Sequence, residues 1–367
     1  MKVCFLGGYD PRYPRNTVIR KGFRAHGIAV SECWLPPGYK SWMRYPLLFF
    51  RSGSCLSGHD VFFVPEFCQK DVPLAKFLSL FAGNKVVFDP LASRFETKIL
   101  DWKRKPPHSW QARWNFRIDS WAFKLSDLVL ADTHAHKEYY CQEYRLPDDK
   151  VEVLPVGYDS DLFQRVSDEN RQRGEKFEVL FFGSFLPLHG VKTIIHSARI
   201  LSREDSSVFI KLIGSGQTRP ESQALASQWS LDNVHFEGWL PQESLPQQIA
   251  QADVCLGIFG KGEKARRVVP HKIFQAMAMG KAVVTLRTPA VEEFFHHRED
   301  IFLCSSFHPS EVAQAVLELK KDSELRRRIA EGGYDLVSQK FSPEAIGSML
   351  IDILERRLHL SSQGFLH

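Results

Sequence analysis

The stretch VLFFGSFLPLHG, residues 179–190, decides the fold. Its apolar first part has the composition of a buried strand, Gly183 opens a loop, and a helical pattern follows. The stretch VCFLGGYDPRYPR, residues 3–15, repeats this order with Gly7 and Gly8 in the loop. Because a strand, a glycine-led loop and a helix begin a Rossmann-like unit, the pair predicts one such unit in each half of the chain.

The rest of both halves alternates short apolar runs with helical patterns, which predicts an α/β protein with parallel sheets. The polar, turn-rich stretch 155–176 predicts a linker between two domains. Ligands of such sheets bind beyond the carboxyl ends of the strands, so both glycine loops are expected at one cleft between the domains. Strands are expected at KVCFL, IAVSECWL, DVFFV, KVVFD, DLVLA and VEVLP, then at EVLFF, VFIKLIG, NVHFEG, DVCLGIF, KAVVTL and DIFLC.

Composition restricts the class of protein. The chain has 367 residues, 44% apolar and 25% charged, which is ordinary for a globular protein of two domains. A net charge of +5 suits anionic small molecules or an acidic membrane surface and is too small to require nucleic acid. Seven scattered cysteines without a Cys-x-x-Cys pair indicate neither disulfides nor zinc and favour a reducing cytoplasm. No segment reaches the roughly 18 apolar residues that span a bilayer.

The stretch KSWMRYPLLFFR, residues 40–51, interleaves basic and aromatic residues. This pattern suits a helix at a membrane interface, although such a stretch is more often a helix docked on its own domain. The sequence leaves both interpretations open.

The stretch KARRVVPHKIFQAMAMG, residues 264–280, places several cations around the start of a predicted helix. Pro270 fits the first helical position, and Gly280 fits the end. Because the amino end of a helix carries partial positive charge, an unpaired group of cations there either extends into water or binds an anion.

Together the motifs resemble the GT-B glycosyltransferases of the retaining family 4, the glycosyl transferases group 1. Such a protein has two Rossmann-like domains facing a central cleft, and its C-terminal helix returns to the first domain. The resemblance implies an acceptor-side domain at 1–160, a nucleotide-sugar donor domain at 161–340 and the returning helix at 341–367. The stretches that carry the resemblance are 126–163, 179–201, 235–259 and 268–285.

The resemblance implies an enzyme that moves a sugar from a nucleotide-sugar donor to a glycan or lipid-linked acceptor, with retention, in cell-surface polysaccharide or glycolipid synthesis. It also implies that basic groups, without a metal ion or other cofactor, stabilise the leaving diphosphate. The chain departs from the family at two pairs of positions. Arg267 and Gln275 stand where the family has two glutamates, and Ser184 and His189 stand where it has Arg and Lys. We therefore expect a phosphate-binding group relocated to residues 264–272.

The expected site follows from this alignment. Gln275 is assigned to ribose, and Asp89 either orients a sugar hydroxyl or caps a turn. The residues assigned to catalysis are Arg267, Lys272 and Asp89, and those assigned to the donor are Gly7, Gly8, Gly183, Ser184, His189, Gly214, Lys264, Arg266 and Gln275.

Two other functions remain open from the sequence: a sugar-nucleotide epimerase of the same fold, and a non-catalytic module that binds nucleotides or other anions. The expected partners are the donor, the acceptor and, as a candidate peripheral contact, an anionic membrane, with no nucleic acid. The expected location is the cytoplasm, including the inner face of the cell membrane.

Overall fold

The structure is a computed structural model that describes residues 1–53, 58–165 and 176–360, apart from the side chains of residues 41 and 42. The chain forms two compact units. The first is Met1–Gly157 with the described residues from Ser342 onward, and the second is Tyr158–Phe341. Of the predicted linker 155–176, residues 166–175 lie outside the described part, as do residues 361–367 of the predicted terminal segment.

The first unit is built on a six-stranded parallel sheet with the order β2-β1-β3-β4-β5-β6. Its inner strands are mostly apolar and buried, as expected for a parallel sheet that is covered on both faces. The order reverses between β1 and β3, which makes the carboxyl ends of these strands a switch point where ligands commonly bind. The strands are β1 (Lys2–Gly7), β2 (Ala29–Trp34), β3 (Val61–Val64), β4 (Lys85–Phe88), β5 (Leu128–Ala131) and β6 (Val151–Val153).

Helices cover this sheet, and the last helix of the described residues belongs to the same unit. The helices are α1 (Pro14–Ala25), α2 (Ser41–Ser52), α3 (Val72–Ala82), α4 (Trp110–Leu125), α5 (His134–Tyr144) and α13 (Pro343–Leu358), with a π-helical segment at Glu96–Asp101. Helix α13 packs on α1 through Gly22 and Gly347. A Cβ atom on Gly22 would lie 2.5 Å from the carbonyl oxygen of Pro343, so the two backbones meet directly.

The second unit has a six-stranded parallel sheet with the order β12-β11-β10-β7-β8-β9. This is the Rossmann order, and its switch point lies between β7 and β10. The strands are β7 (Phe177–Phe182), β8 (Val208–Ile213), β9 (Val234–Glu237), β10 (Val254–Leu256), β11 (Ala282–Leu286) and β12 (Phe302–Cys304). The helices are α6 (Val191–Glu204), α7 (Arg219–Gln228), α8 (Leu245–Gln251), α9 (His271–Ala278), α10 (Pro289–Glu292), α11 (Pro309–Lys321) and α12 (Ser323–Lys340).

The predicted alternation of strands and helices is confirmed, and the two sheets are parallel as expected. One boundary is wrong by a residue. Pro270 has an extended conformation with φ of −74° and ψ of 151°, so it is the N-cap and α9 begins at His271. Gly280, with φ of +69°, follows the helix end as predicted.

The stretch 40–51 forms α2, and its two faces differ. The hydroxyl of Tyr45 donates a hydrogen bond to the carbonyl of Lys70, and Arg44 pairs with Asp71, so one face docks on its own unit. Phe50 on the other face is exposed. Among the described helices, none combines the length and apolar character needed to cross a membrane.

Candidate active site

The sequence-predicted basic segment lies at the switch point of the second unit. Here the loop that follows β7, residues 183–190, is hydrogen bonded to the loop that follows β10. The Phe259 amide donates to the carbonyl of His189, and the Gly260 amide donates to the carbonyl of Leu188, each at 3.1 Å. These bonds hold the two loops as one surface at the carboxyl ends of the strands, the usual ligand site of this topology.

Two glycines make that close approach of the loops feasible. A Cβ atom on Gly190 would lie 2.3 Å from the backbone of Phe259, and one on Gly260 would lie 2.2 Å from the backbone of Leu188. Gly190 also has φ of +64°, which other residues rarely adopt. Any side chain at either position would force the loops apart.

Lys272 carries the strongest electrostatic feature of the site. It is the second residue of α9, and its Nζ lies 3.7 Å from the ring centroid of Phe181 at the end of β7. A Cβ atom on Gly183 would lie only 3.3 Å from the same nitrogen. No hydrogen-bond acceptor among the described residues reaches this Nζ, although the residue is only 6% exposed.

A buried ammonium group without an acceptor is costly, since burial removes its hydration and nothing replaces it. Burial lowers the pKa of Lys272 well below its ordinary value. The face of Phe181 gives a cation–π contact, which compensates in part. The position next to Gly183 and the amino end of α9 therefore suits an anionic ligand group.

His189 lies beside Lys272 and is neutral. Its Nδ1 is hydrogen bonded to the carbonyl oxygen of Ser184. Because a carbonyl oxygen only accepts, Nδ1 carries the proton and Nε2 is left as an acceptor. Burial, then the charges of Lys272 and Lys264, hold the pKa of His189 well below its usual value. His189 therefore does not replace the positive charge of the lysine that the family has at this position.

Lys264 lies in a 3-10 turn at Glu263–Arg266, which packs on the turn that contains His189. The side chain of Lys264 is mostly buried, and its charge acts on His189. The two turns share a small apolar cluster composed of Leu188, Ile258, Ala265 and Val268.

The remaining predicted cations lie at the edge of this site. Arg266 is exposed, and Arg267 is half-buried with Nη2 3.7 Å from Oε2 of Glu263. Glu263, directly before the quoted segment, therefore partly neutralises Arg267. Arg267 thus has a carboxylate partner from just outside the segment. Gln275 is buried on α9, three positions after Lys272.

Gly214 has a packing role that the structure makes explicit. A Cβ atom on Gly214 would lie 1.9 Å from the carbonyl oxygen of Gly183, so the ends of β7 and β8 come together only with glycine there.

Two residues of this region were missed by the sequence interpretation. Arg219, the first residue of α7, donates hydrogen bonds to the carbonyls of Gly214 and Glu237 and so holds the ends of β8 and β9. Phe181 supports Lys272, but its apolar strand gave no sign of that role. The Arg-Pro pair at 219–220, typical of a helix start, was the available signal for Arg219.

Gly7 and Gly8 lie at the switch point of the first unit. The Gly8 amide donates to Asp71 at 2.8 Å, and Asp71 pairs with Arg44, also at 2.8 Å. The guanidinium of Arg44 lies against Gly8, and Cys68 lies against Gly7. The space next to both glycines is thus filled by the protein, and their assignment to the donor stays a prediction.

Asp89 forms a buried ion pair with Arg15. Nε of Arg15 donates to Oδ2 at 2.7 Å, and Nη2 donates to Oδ1 at 3.3 Å. Both carboxylate oxygens are thus engaged, a role that neither sequence interpretation anticipated. A catalytic role for Asp89 stays a prediction.

The site in the second unit thus combines two buried lysines, a helix amino end and a neutral histidine, an arrangement that suits a phosphate-bearing ligand. Within residues 1–53, 58–165 and 176–360, no three His, Cys, Asp or Glu side chains are grouped so that they could hold a metal ion.

Comparison with known proteins gives the family of this unit. Residues 163–336 match the family model described as glycosyl transferases group 1. The chain is 22% identical over 303 residues to the lipopolysaccharide core biosynthesis glycosyltransferase LpsD of Rhizobium meliloti, covering 78% of this chain and 81% of that protein. Alignments with three further relatives span 49% to 61% of those proteins.

Solved structures extend the similarity to both units. Anabaena HepE in complex with UDP-glucose superposes with a TM-score of 0.72 at 20% identity, covering 98% of this chain and 100% of that one. Sucrose-phosphate synthase from Thermosynechococcus elongatus gives a TM-score of 0.75 at 15% identity, covering 98% of this chain and 100% of that one. The chain is accordingly a glycosyltransferase of the GT-B fold, and residues 163–336 are its glycosyl transferases group 1 domain.

Proposed function

We propose that this enzyme transfers a glycosyl group from a nucleoside-diphosphate sugar to a glycan or lipid-linked acceptor, with retention, in cell-surface polysaccharide or glycolipid synthesis. The observation that carries the proposal is the buried ammonium of Lys272, which has no acceptor among the described residues and adjoins Gly183. A diphosphate would supply the missing acceptor oxygens. The name of LpsD supports an acceptor in surface glycan synthesis.

In the proposed reaction an acceptor hydroxyl oxygen forms a bond to the anomeric carbon while the bond between that carbon and the diphosphate oxygen breaks. The hydroxyl proton passes to the leaving diphosphate, and Lys272 and Lys264 stabilise the negative charge that develops there without themselves giving up a proton. His189 is neutral, so its Nε2 accepts a hydrogen bond from a donor hydroxyl. Gln275 binds the ribose, and Arg266 and Arg267 contribute from the edge of the site.

Uridine is the base we propose first, because structures of HepE hold UDP and UDP-glucose. The identity is 20%, so the comparison supports the choice of first ligand and leaves the base to be measured.

The decisive experiment is a thermal-shift and calorimetric screen of UDP, GDP, ADP and CDP against the wild type, Lys272→Met and Lys192→Met. Lys192 is a suitable control because it is exposed and paired with Glu221. A ligand at a hundred times its dissociation constant stabilises by about 2.7 kcal/mol. We expect one nucleotide class to give this shift in the wild type and in Lys192→Met, and Lys272→Met to lose it.

Two results would overturn the proposal. Folded wild type that binds no nucleoside diphosphate would contradict the donor site, and a Lys272→Met variant that binds like the wild type would contradict the role of Lys272. Consumption of the sugar nucleotide without any acceptor product, beyond hydrolysis, would favour an epimerase.

We also propose that the enzyme works in the cytoplasm at the inner face of the cell membrane, where lipid-linked acceptors are found. The exposed face of α2, with Phe49 and Phe50, is the sequence-predicted contact. Its double variant Phe49→Ser/Phe50→Ser would weaken binding to anionic vesicles if this face alone makes the contact.

A further inference from the structure

Helix α4 presents an unusual outer face. Its exposed residues recur at helical spacing, so they form one stripe along the helix. Trp114 is 45% exposed and Trp121 is 49% exposed, and the centroids of their rings lie 5.8 Å apart. The whole stripe consists of Trp110, Arg113, Trp114, Arg117, Trp121, Lys124 and Leu125.

Helix α3 packs beside α4 and presents an apolar face. Leu80 is 73% exposed and Phe81 is 75% exposed. The ring centroids of Phe77 and Phe81 lie 5.1 Å apart. We call the exposed residues of α3 and α4 the α3–α4 face. Tryptophans scattered over a surface need no explanation, but a contiguous apolar patch of this kind marks an interaction site.

The charges of this face are all positive. The two helices are fully described, and their single acidic residue, Asp119, is buried. On the helical wheel the aromatic residues of α4 lie along one side of the stripe, and Arg113, Arg117 and Lys124 lie along the other. A surface of this composition therefore attracts anions and apolar groups together.

More positive charge borders α4. Asp119 accepts a hydrogen bond from the Arg94 amide at 3.1 Å, which places the segment after β4 against this helix. Burial, then Arg94, Arg104 and Lys70, lower the pKa of Lys98 to about 8, as expected for cations crowded together.

We propose that the α3–α4 face binds the surface of an anionic phospholipid bilayer. Tryptophan rings settle at the level of the lipid headgroups, while arginine and lysine side chains extend to the phosphates. This inference deepens the proposed membrane contact by placing it on α3 and α4 rather than on α2. It does not depend on glycosyl transfer.

A second copy of the chain fits this face less well. A twofold dimer would bring the same patch of each copy together, so Arg113, Arg117 and Lys124 would face their own counterparts. Like charges in a buried contact repel strongly, whereas anionic lipid neutralises them.

The test is co-sedimentation of the full chain with vesicles of phosphatidylcholine alone and of phosphatidylcholine with phosphatidylglycerol. Trp114→Ser/Trp121→Ser removes the aromatic side of the stripe. Arg113→Gln/Arg117→Gln removes two of the cations. Trp239→Ser, an exposed tryptophan of the second unit, is the matched control. Thermal midpoints verify that each variant is folded.

We expect the wild type and Trp239→Ser to bind the anionic vesicles and not to bind vesicles of phosphatidylcholine alone. The tryptophan double variant should lose at least tenfold in affinity, and the arginine variant should lose most of its preference for anionic lipid. Raising the salt concentration should weaken the wild type in the same way as the arginine changes do.

Three results would overturn the inference, and they differ in what else they affect. The first is that both α4 double variants bind anionic vesicles as well as the wild type does, whereas Phe49→Ser/Phe50→Ser binds them weakly. This result would assign the contact to α2 and keep the proposed membrane association. A wild type that binds no vesicle but still binds UDP would remove the membrane contact and leave the proposed transferase. A dimer in ultracentrifugation that the tryptophan changes dissociate would assign the face to self-association.

Discussion

The switch points of the two units each place a cation beside a glycine loop, but they differ in what balances its charge. In the first unit, the cation beside the glycine loop is Arg44, which Asp71 neutralises at 2.8 Å. In the second unit, the cation beside the glycine loop is Lys272, for which the described residues offer no acceptor. The first switch point is therefore complete within the chain, whereas the second has a charge that a ligand must balance.

This difference teaches how one fold can serve two roles. A buried ion pair contributes little net stability, but removal of one partner is costly because the other charge is left behind. The second unit resembles the first after such a removal. Its unbalanced charge is a stored cost that binding of an anion relieves.

The largest expected effect comes from breaking the first pair. Asp71→Asn keeps an acceptor for the Gly8 amide but leaves Arg44 without its counterion. We expect a loss of about 3–5 kcal/mol in the free energy of unfolding, measured by urea denaturation.

Asp127→Asn is the control for that prediction. Asp127 also accepts a backbone amide and pairs with a lysine, but both side chains are partly exposed. Its cost should stay near 1 kcal/mol or less. Equal losses in the two variants would mean that burial of the Arg44–Asp71 pair has no special weight.

In the second unit we expect a substitution to raise the free energy of unfolding rather than lower it. Lys272→Met removes a buried charge that has no acceptor, so the ligand-free protein should gain about 1–3 kcal/mol. The unfolded chain holds the Lys272 proton up to the ordinary pKa, whereas burial makes the folded chain release it at lower pH. Wild-type stability should therefore rise with pH in this range, and the variant should lose that slope.

Denaturation of both proteins from neutral to alkaline pH measures the gain and the slope together. A destabilised Lys272→Met protein would show that the ammonium has a stabilising partner, and the contrast between the units would fail.

Binding of a nucleoside diphosphate should be coupled to a proton. A bound diphosphate needs the ammonium form of Lys272, and burial makes that form costly in the free protein, which lowers the pKa of Lys272. Binding should thus take up a proton, and affinity should fall by up to tenfold, about 1.4 kcal/mol, for each pH unit above the lowered pKa. Calorimetry in two buffers of different ionisation enthalpy, at alkaline pH, measures the uptake. An affinity that does not change with pH, together with no proton uptake on binding, would contradict this prediction.

The smallest effect is expected at the edge of the site. Glu263→Gln releases Arg267 from its partner at 3.7 Å, which makes the second switch point still more positive. Since the glutamate is largely exposed, the gain in diphosphate affinity should correspond to about 0.2–1 kcal/mol. Glu221→Gln, at another exposed pair, should leave the affinity unchanged. If Glu221→Gln raised the diphosphate affinity as much as Glu263→Gln does, the effect would come from the net charge of the protein and not from Arg267.

The fold was readable from the sequence because its signals are local. Apolar runs, glycine loops and helical spacing each lie within a few residues, and they predicted both parallel sheets. The position of Lys272 near a helix start was readable for the same reason.

The partners of the charges were not readable, because they are set by packing between distant segments. Nothing in the sequence joins Arg44 to Asp71 or Arg15 to Asp89, since each pair forms only when a helix meets a distant loop of the same unit. Four cations within residues 264–272 look equivalent in one dimension. The 3-10 turn buries Lys264 and leaves Arg266 exposed, and only the folded chain distinguishes them.

The contact between Gly22 and Gly347 has a consequence for synthesis on the ribosome. It joins α1 to α13, which are far apart in the sequence, whereas Tyr158–Phe341 is an uninterrupted segment. The second unit can therefore complete its sheet while the C-terminal residues are still in the ribosomal tunnel. The first unit, although translated earlier, acquires its last helix only after Leu358 has emerged, so the order of completion reverses the order of translation.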